Sequence, residues 1–214
     1  MYTLSSMWMI YSFFSQLLLI IFPSSCFLCH KEGDALCPPC LRNLQKSIDS
    51  PFQFIKSVYS FKDHRVKRII HAFKYYHRKD LAYPLAQELV SYIPENLHDK
   101  HYTIIPIPMP KIRMYMRGYN QAEVIALALA DITKQSFHKN ILIRVKTKKR
   151  QVLAQTRSLR LHNQKGAFGV ASSVQGMDIL LVDDVTTTGA TLSEARKILL
   201  EHGAHAVYAL TIAH

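Results

Sequence analysis

Two adjacent carboxylates stand where the sequence predicts the end of a buried strand. Residues 179–182 are all apolar, and Asp183 and Asp184 follow them directly. Parallel sheets bind ligands at the carboxyl ends of their strands, where such acids can accept hydrogen bonds from the two vicinal hydroxyls of a ribose. Residues 186–191 then add threonine hydroxyls and Gly189 at the start of a predicted helix, where backbone N–H groups favour a phosphate. The pattern predicts a site for a pentose 5-phosphate. The alternative is a strand-to-helix turn with incidental acids, which is disfavoured because buried carboxylates are costly without partners.

All four cysteines of the chain fall in two Cys-x-x-Cys motifs, Cys26/Cys29 and Cys37/Cys40. Four thiolates at this spacing can close tetrahedrally on one zinc ion, which makes a closed, structural site rather than a catalytic one. A pair of disulfides is the alternative, but it requires an oxidising compartment and the sequence shows no secretion signal. His30 follows Cys29 and is interpreted as a flanking surface residue.

The charge of the chain favours polyanionic partners. Twenty-seven lysines and arginines outnumber fifteen acidic residues, which gives a net charge of +12 and a pI near 9.6. No acidic residue occurs from 132 to 177, and a second basic block at residues 65–79 is interleaved with aromatic residues. Each block is either a solvated face or a surface for single-stranded nucleic acid, where backbone neutralisation and base stacking combine. The nucleic-acid candidates are Lys67, Lys74, Arg78, Lys148, Lys149 and Arg150.

The first 22 residues are predicted to form an apolar helix. Residues 7–22 are nearly all apolar, but this run is shorter than the roughly 20 residues that a spanning helix needs. The first lysine or arginine is Lys31, so the basic start of a secretory signal is missing. Two interpretations are favoured, a helix that docks on the domain and an interfacial helix on an anionic membrane, and a transmembrane anchor is the least favoured third.

Alternating strands and helices must position these residues. Apolar periodicity predicts strands at residues 57–61, 102–107, 141–145, 179–182 and 206–212, and helices at 64–76, 81–93, 120–132 and 191–202. This alternation is typical of an α/β fold with a doubly wound parallel sheet. Residues 146–164 are polar and too many for an ordinary connection, so we expect them to be functional.

The order of the motifs resembles that of a known family. Residues 183–191 resemble the signature of type I phosphoribosyltransferases, and the chain as a whole resembles the ComF family of bacterial natural transformation. The resemblance includes the paired cysteine motifs and residues 106–108, 117–121, 160–163 and 166–168. We therefore divide the chain into the apolar helix (1–22), a zinc-finger module (23–50) and a type I phosphoribosyltransferase-like domain (51–214).

The resemblance also implies a ligand and the residues that hold it. The ligand would be phosphoribosyl pyrophosphate, with a Mg²⁺ that bridges ribose and pyrophosphate oxygens. Asp183 and Asp184 would hold the ribose hydroxyls. The 5′-phosphate would be cradled by Thr187, Thr188, Gly189, Ala190 and Thr191. A loop at 108–118 would face the pyrophosphate through Lys111, Arg113 and Arg117, and a lid from the long basic loop would close through Arg157 and Arg160.

A role in natural transformation is the function that the resemblance implies. The protein would handle incoming single-stranded DNA through the phosphoribosyl-pyrophosphate-binding domain and the zinc finger. The alternative is an active phosphoribosyltransferase that acts on a nucleotide-related acceptor, although no catalytic residue or acceptor pocket is predicted from the sequence. The implied location is the cytoplasm or the cytoplasmic face of the inner membrane, with competence or recombination proteins as partners.

Overall fold

The computed structural model describes residues 24–48, 52–145 and 166–214. The chain divides into one compact unit that ends at Leu44 and a second that runs from Gln45 to His214. The predicted apolar helix at 1–22 and the whole of the predicted loop at 146–164 lie outside the described residues. The site candidates that fall there are Lys148, Lys149, Arg150, Arg157 and Arg160.

The first unit consists of turns and one short helix. Ser25 and Glu32 form an isolated antiparallel bridge, and the Cys26 N–H donates to the Lys31 carbonyl at 2.9 Å. Helix α1 (Pro38–Arg42) begins with two prolines, which suits its first positions because their N–H groups would have no helical partner there. Cys26, Leu36 and Leu41 are buried. The two cysteine motifs thus lie on a tight turn and on the start of a helix.

The second unit is built on a five-stranded parallel sheet. Its strands are β1 (Ile55–Tyr59), β2 (Thr103–Pro106), β3 (Ser136–Phe137), β6 (Asp178–Val185) and β7 (Ala206–Ala213). They lie in the order β1-β7-β6-β2-β3, and every neighbouring pair is parallel. The inner strands are nearly continuous apolar runs, as expected where both faces of a sheet are covered. Strand β6 is flanked by β7 and β2, so its carboxyl end lies near the middle of one sheet edge.

Helices cover both faces of the sheet. They are α2 (His64–Tyr75), α3 (Ala82–Val90), α4 (Lys111–Arg117), α5 (Gln121–Thr133) and α6 (Ala190–Glu201), with short 3-10 helices at Lys79–Leu81 and Glu95–Leu97. On one face, Leu192, Ala195 and Leu199 of α6 pack in a buried cluster with odd-numbered residues of β6 and β7. Helix α5 packs on β6 and on α3, and its core side chains Ile125 and Leu129 are fully buried. The predicted doubly wound α/β sheet is confirmed.

Helix α2 is fixed at its start by Asp63. The Asp63 carboxylate accepts from the Arg65 N–H at 2.8 Å, from the Arg65 guanidinium at 2.8 Å and from the Gln45 N–H at 3.1 Å. Hydrogen bonding to the Arg65 side chain outweighs the effect of burial and holds the pKa of Asp63 far below its ordinary value. The cap therefore sets where α2 begins.

Three expectations from the sequence need correction. Strand β4 (Leu142–Arg144) was expected in the parallel sheet, but it pairs antiparallel with β5 (Phe168–Val170) in a separate two-stranded ribbon. The predicted loop at 108–118 contains α4, whose end is set by Gly118 in the left-handed region at φ 73°. Strand β6 does not stop before the two acids but continues through them to Val185, because Val185 still pairs with Ala213 of β7.

Within the described ranges, no helix combines the length and apolar character needed to cross a bilayer.

Candidate phosphoribosyl site

A cationic pocket lies at the carboxyl edge of the sheet. Its volume is about 330 Å³, and it is bounded by the ends of β6 and β2, by α4 and by the starts of α5 and α6. Parallel sheets bind ligands at this edge. The charged residues that line it are Lys74, Arg113, Arg117, Arg144, Asp183 and Asp184.

Asp183 and Asp184 are the acidic pair of this pocket. Asp183 is half-buried, and Asp184 is buried, with 9% of its surface exposed. The Asp183 carboxylate accepts from the Asp184 N–H at 2.9 Å, and the Asp184 Oδ1 accepts from the Val185 N–H at 2.7 Å. Burial, together with the neighbouring Asp184 carboxylate, raises the pKa of Asp183 to about 8. A ligand that donates hydrogen bonds to this pair would reduce the free-energy cost of keeping Asp183 ionised there.

The predicted phosphate cradle is the turn between β6 and α6. Gly189 lies in the left-handed region at φ +70°, and a Cβ atom there would come within 2.6 Å of the Phe52 ring, so the turn requires glycine. Helix α6 is 12 residues long and begins directly after it, with the Ser193 N–H donating to the Gly189 carbonyl at 2.8 Å. Thr187 and Thr191 line the pocket. The remaining predicted residues, Thr188 and Ala190, belong to the same turn, and Thr188 Oγ1 accepts from the Ala190 N–H at 3.4 Å.

The predicted pyrophosphate residues divide into two groups. Arg113 and Arg117 line the pocket, whereas Lys111 is exposed and is not among the lining residues. Arg117 is held in place, because its guanidinium donates to Gln121 Oε1 at 3.2 Å and lies 5.2 Å from the centre of the Tyr75 ring. Helix α4 thus presents two guanidinium groups, which suit bidentate binding of phosphate oxygens.

The four cysteines of the first unit come together. Their Sγ atoms all lie within 4.8 Å of one another, and Cys29 Sγ is 3.6 Å from Cys37 Sγ. Ligands at 2.3 Å from a tetrahedral zinc ion are separated by about 3.8 Å, so the cluster fits such an ion. The cysteines are free thiols in the structure, and His30 does not belong to the cluster. The predicted four-cysteine module is confirmed, and the zinc ion itself stays a prediction.

Comparison with known proteins places these features in one family. Residues 79–214 match the phosphoribosyl transferase domain. DNA utilization protein YhgH of Escherichia coli strain K12 is 30% identical over an alignment of 202 residues that covers 86% of each chain. Competence protein ComFC of Bacillus subtilis strain 168 is 34% identical over 148 residues, covering 69% of this chain and 58% of that protein. Competence protein F of Haemophilus influenzae strain Rd is 38% identical over 103 residues, covering 47% of this chain and 44% of that protein.

The chain belongs to the ComF family.

Three residues that line the pocket of this ComF protein were not predicted from the sequence to belong to it. Lys74, in the last turn of α2, forms a 2.9 Å ion pair with Asp184. Arg144 comes from the two-stranded ribbon, where its Nε donates to the Pro108 carbonyl at 2.8 Å. Gln121 is 1% exposed, and its Nε2 has no hydrogen-bond partner among the described residues. A buried amide that lacks a partner beside a pocket is a donor available to a ligand.

The nucleic-acid candidates Lys67, Lys74 and Arg78 lie in three different surroundings. Lys67 is exposed, Lys74 faces the pocket, and Arg78 pairs with Asp80 at 2.7 Å. Aromatic and apolar side chains are exposed close to Arg117 instead, on the end of α2 and on α4. They are Tyr75, Tyr76, Ile112, Tyr115 and Met116, exposed by 52%, 63%, 66%, 89% and 74%. In the sequence, the aromatic residues within the basic block at 65–79 and the predicted loop at 108–118 pointed towards this region.

The cysteine cluster predicts a zinc ion that depends on each thiolate. Cys29→Ser is expected to abolish bound zinc, because a three-cysteine site loses one of four strong ligands while Cys29 itself is exposed and packs little. His30→Asn is the matched control, since His30 is the adjacent residue and its φ of 62° suits asparagine. Zinc content by elemental analysis of protein purified under reducing conditions checks this. Wild-type protein without zinc, or equal loss in both variants, would contradict it.

The raised pKa of Asp183 predicts a pH-dependent cost to stability. Its folded pKa of about 8 exceeds the unfolded value of about 3.9, so the folded state binds more protons and stability falls as pH rises between the two. Asp183→Asn removes this effect. Its stability advantage over wild type should therefore grow between pH 5 and pH 8, by at most about 1.4 kcal/mol per pH unit, and level off above.

Urea unfolding at several pH values measures this difference. Asp131→Asn is the control, because the Asp131 side chain is 66% exposed and pairs with Lys134 in a surface bridge at the end of α5. The control should show no comparable trend. A difference between Asp183→Asn and wild type that does not change with pH would show that Asp183 is not held in an unfavourable ionised state.

Proposed function

We propose that this ComF protein binds a phosphoribosyl group, with phosphoribosyl pyrophosphate as the ligand. The ribose hydroxyls donate to Asp183 and Asp184, and the 5′-phosphate lies at the turn before α6, against Thr187 and Thr191. The observation that carries the proposal is the acid pair at the end of the buried strand β6, set within a pocket whose other charged residues are cationic. Diol acceptors beside an anion site match the two ends of a ribose 5-phosphate.

The charge of the pocket supports a ligand with several phosphates. Four cationic side chains and two carboxylates line it among the described residues. A phosphomonoester carries about −1.5 to −2 charges at neutral pH, so the excess of cations suits a ligand with a pyrophosphate in addition to the 5′-phosphate. Arg113 and Arg117 would bind the pyrophosphate. Arg157 and Arg160, in the long basic loop, would close over it as a lid.

A Mg²⁺ ion would accompany the pyrophosphate. The described lining residues offer it only Asp183 and Asp184 as anionic oxygen ligands, and the other charged groups are cations. These residues therefore suit a Mg²⁺ ion that would be held by oxygens of the bound phosphoribosyl pyrophosphate rather than by a cage of protein side chains, as is usual for Mg²⁺ with phosphates. When bound there, it would neutralise charge on the departing pyrophosphate.

The biological role that we propose is the handling of incoming single-stranded DNA in natural transformation. Similarity to Competence protein ComFC and Competence protein F supports a competence role. The exposed tyrosines beside Arg117 support contact with single strands, because bases stack on such rings while cations neutralise the backbone. The zinc finger would supply a second contact. The protein would act in the cytoplasm or on the cytoplasmic face of the inner membrane, with competence or recombination proteins as partners.

Transfer of the phosphoribosyl group is the second candidate. In that reaction an acceptor displaces pyrophosphate at the anomeric carbon, and the arginines of α4 stabilise the charge that develops on the leaving group. The observation that favours this candidate is that Arg113 and Arg117 line the same pocket as the acid pair. Release of pyrophosphate in the presence of Mg²⁺ and a nucleotide-related acceptor would distinguish transfer from binding alone.

Removal of the acid pair should abolish ligand binding. Asp183→Ala combined with Asp184→Ala deletes both acceptors for the ribose hydroxyls, and each hydrogen bond to a charged group contributes about 1.5–3 kcal/mol. The affinity for phosphoribosyl pyrophosphate, measured by calorimetry, should fall at least about a hundredfold. Asp178→Ala is the matched control, because Asp178 is at the opposite end of the same strand. Unchanged affinity in the double variant would overturn the assignment of the site.

Binding of single-stranded DNA should depend on salt and on the exposed tyrosines. Log affinity should fall linearly with log salt, since cations of the protein displace counterions from the backbone. Tyr115→Ala should weaken binding by about 1–3 kcal/mol if a base stacks on that ring. Tyr83→Ala on α3 is the control, because Tyr83 is 50% exposed and is not on α4 or the end of α2. Absence of binding at low salt would remove the DNA-handling role while leaving the phosphoribosyl site intact.

A further inference from the structure

The position of Lys74 in the pocket is set by the buried contacts of its neighbour on α2. Phe73, the residue before it, is fully buried, and the Phe73 carbonyl accepts a hydrogen bond from the Tyr119 hydroxyl. The Phe73 and Tyr119 rings also meet edge to face, with their centres 5.8 Å apart. From this anchored backbone, the Lys74 ammonium reaches Asp184 Oδ2 at 2.9 Å, with only 20% of the lysine side chain exposed.

With the ion pair, each carboxylate oxygen of Asp184 has one donor. Oδ2 accepts from Lys74, and Oδ1 accepts from the Val185 N–H at 2.7 Å. The neighbouring Asp183 Oδ1 accepts from the Asp184 N–H at 2.9 Å. A Mg²⁺ bound by Asp184 would need a ligand oxygen at about 2.0–2.1 Å in near-octahedral geometry, and would have to displace the ammonium to gain Oδ2. The other charged residues that line the pocket in the described part of the chain, Arg113, Arg117 and Arg144, repel a divalent cation.

We propose that Lys74 is the resident cation of the Asp183–Asp184 pair and takes the place that a divalent cation would otherwise occupy there. Ribose 5-phosphate groups then bind to this site without Mg²⁺. The inference rests on the proposed function and specifies which cation serves the acid pair. A Mg²⁺ held by the pyrophosphate of a longer ligand is compatible with it, since that ion would contact ligand oxygens.

Lys74 also links the acid pair to the ligand. An ammonium has three N–H donors, of which one is directed to Asp184. The other two are available to oxygens of a ligand that enters the pocket, so the same residue can hold the carboxylate and bind a hydroxyl or phosphate oxygen. Lys74 is thus a positioning residue for Asp184 and a contact for the ligand, and both roles need its positive charge at this position.

The experiment uses ribose 5-phosphate as the probe, because it carries the diol and the 5′-phosphate but no pyrophosphate to chelate Mg²⁺. Calorimetry on the full chain compares affinity in EDTA and in millimolar Mg²⁺. Wild-type protein should bind within about threefold in the two buffers, whereas Lys74→Gln should bind at least about tenfold more weakly in EDTA and regain affinity with Mg²⁺. Lys74→Arg keeps the charge and should restore Mg²⁺ independence.

Lys67→Met is the matched control. Lys67 is two helical turns earlier on the same helix, is exposed, and does not line the pocket, so this variant should behave as wild type. Wild-type protein that binds ribose 5-phosphate only with Mg²⁺ would overturn the inference without any variant. So would Lys74→Gln protein with wild-type affinity in EDTA. Wild-type protein that binds neither ribose 5-phosphate nor phosphoribosyl pyrophosphate in either buffer would overturn the proposed function and this inference with it.

Discussion

The structure of the second unit is organised around two acids that a buried strand carries to its end. Carboxylates at such a position are costly unless donors or cations compensate them. The compensation comes from several directions: the N–H groups of Asp184 and Val185 within the strand, the Lys74 ammonium from α2, and the arginines of the same pocket. Because β6 pairs with β7 as far as Val185, the backbone of both acids is held in the sheet and cannot move out into solvent. The pocket is therefore a consequence of where this strand ends.

The topology explains how distant segments reach one place. In a parallel sheet all carboxyl ends lie at one edge, so the segments that follow β1, β2 and β6 surround the same space. The segment after β2 supplies Arg113, Arg117 and Gln121, the segment after β1 supplies Lys74, and the turn after β6 supplies Thr187 and Thr191. The Asp63 cap and the buried Phe73 fix α2 at both ends, which gives the lysine a defined position.

Local features could be predicted from the sequence, and contacts between distant segments could not. The acid pair, the turn at Gly189 and the start of α6 are contiguous, so their chemistry could be inferred from residue types and spacing. Lys74 was predicted as a nucleic-acid candidate together with Lys67, because helical spacing indicates which residues share a face but not what that face contacts. Arg144 depends on the ribbon of β4 and β5, whose antiparallel pairing no local pattern indicated. Lys111 was predicted to face the pyrophosphate together with Arg113, because both were expected in one loop. A helix replaces that loop and directs the two side chains differently.

The two acids differ in how far the protein compensates them, which decides what each gains from a ligand. A ligand hydroxyl that donates to Asp184 would share or replace its ion pair with Lys74, whereas one that donates to Asp183 would stabilise an ionised group that burial disfavours. Selectivity also depends on groups that lack a partner among the described residues, of which the Gln121 Nε2 donor is one. The largest gain in binding free energy goes to a ligand that accepts from this amide and also pairs with the arginines of α4. A phosphorylated sugar with a second anionic group can do both. Under the proposed function, the pocket would therefore select for the whole phosphoribosyl pyrophosphate more strongly than for either of its ends.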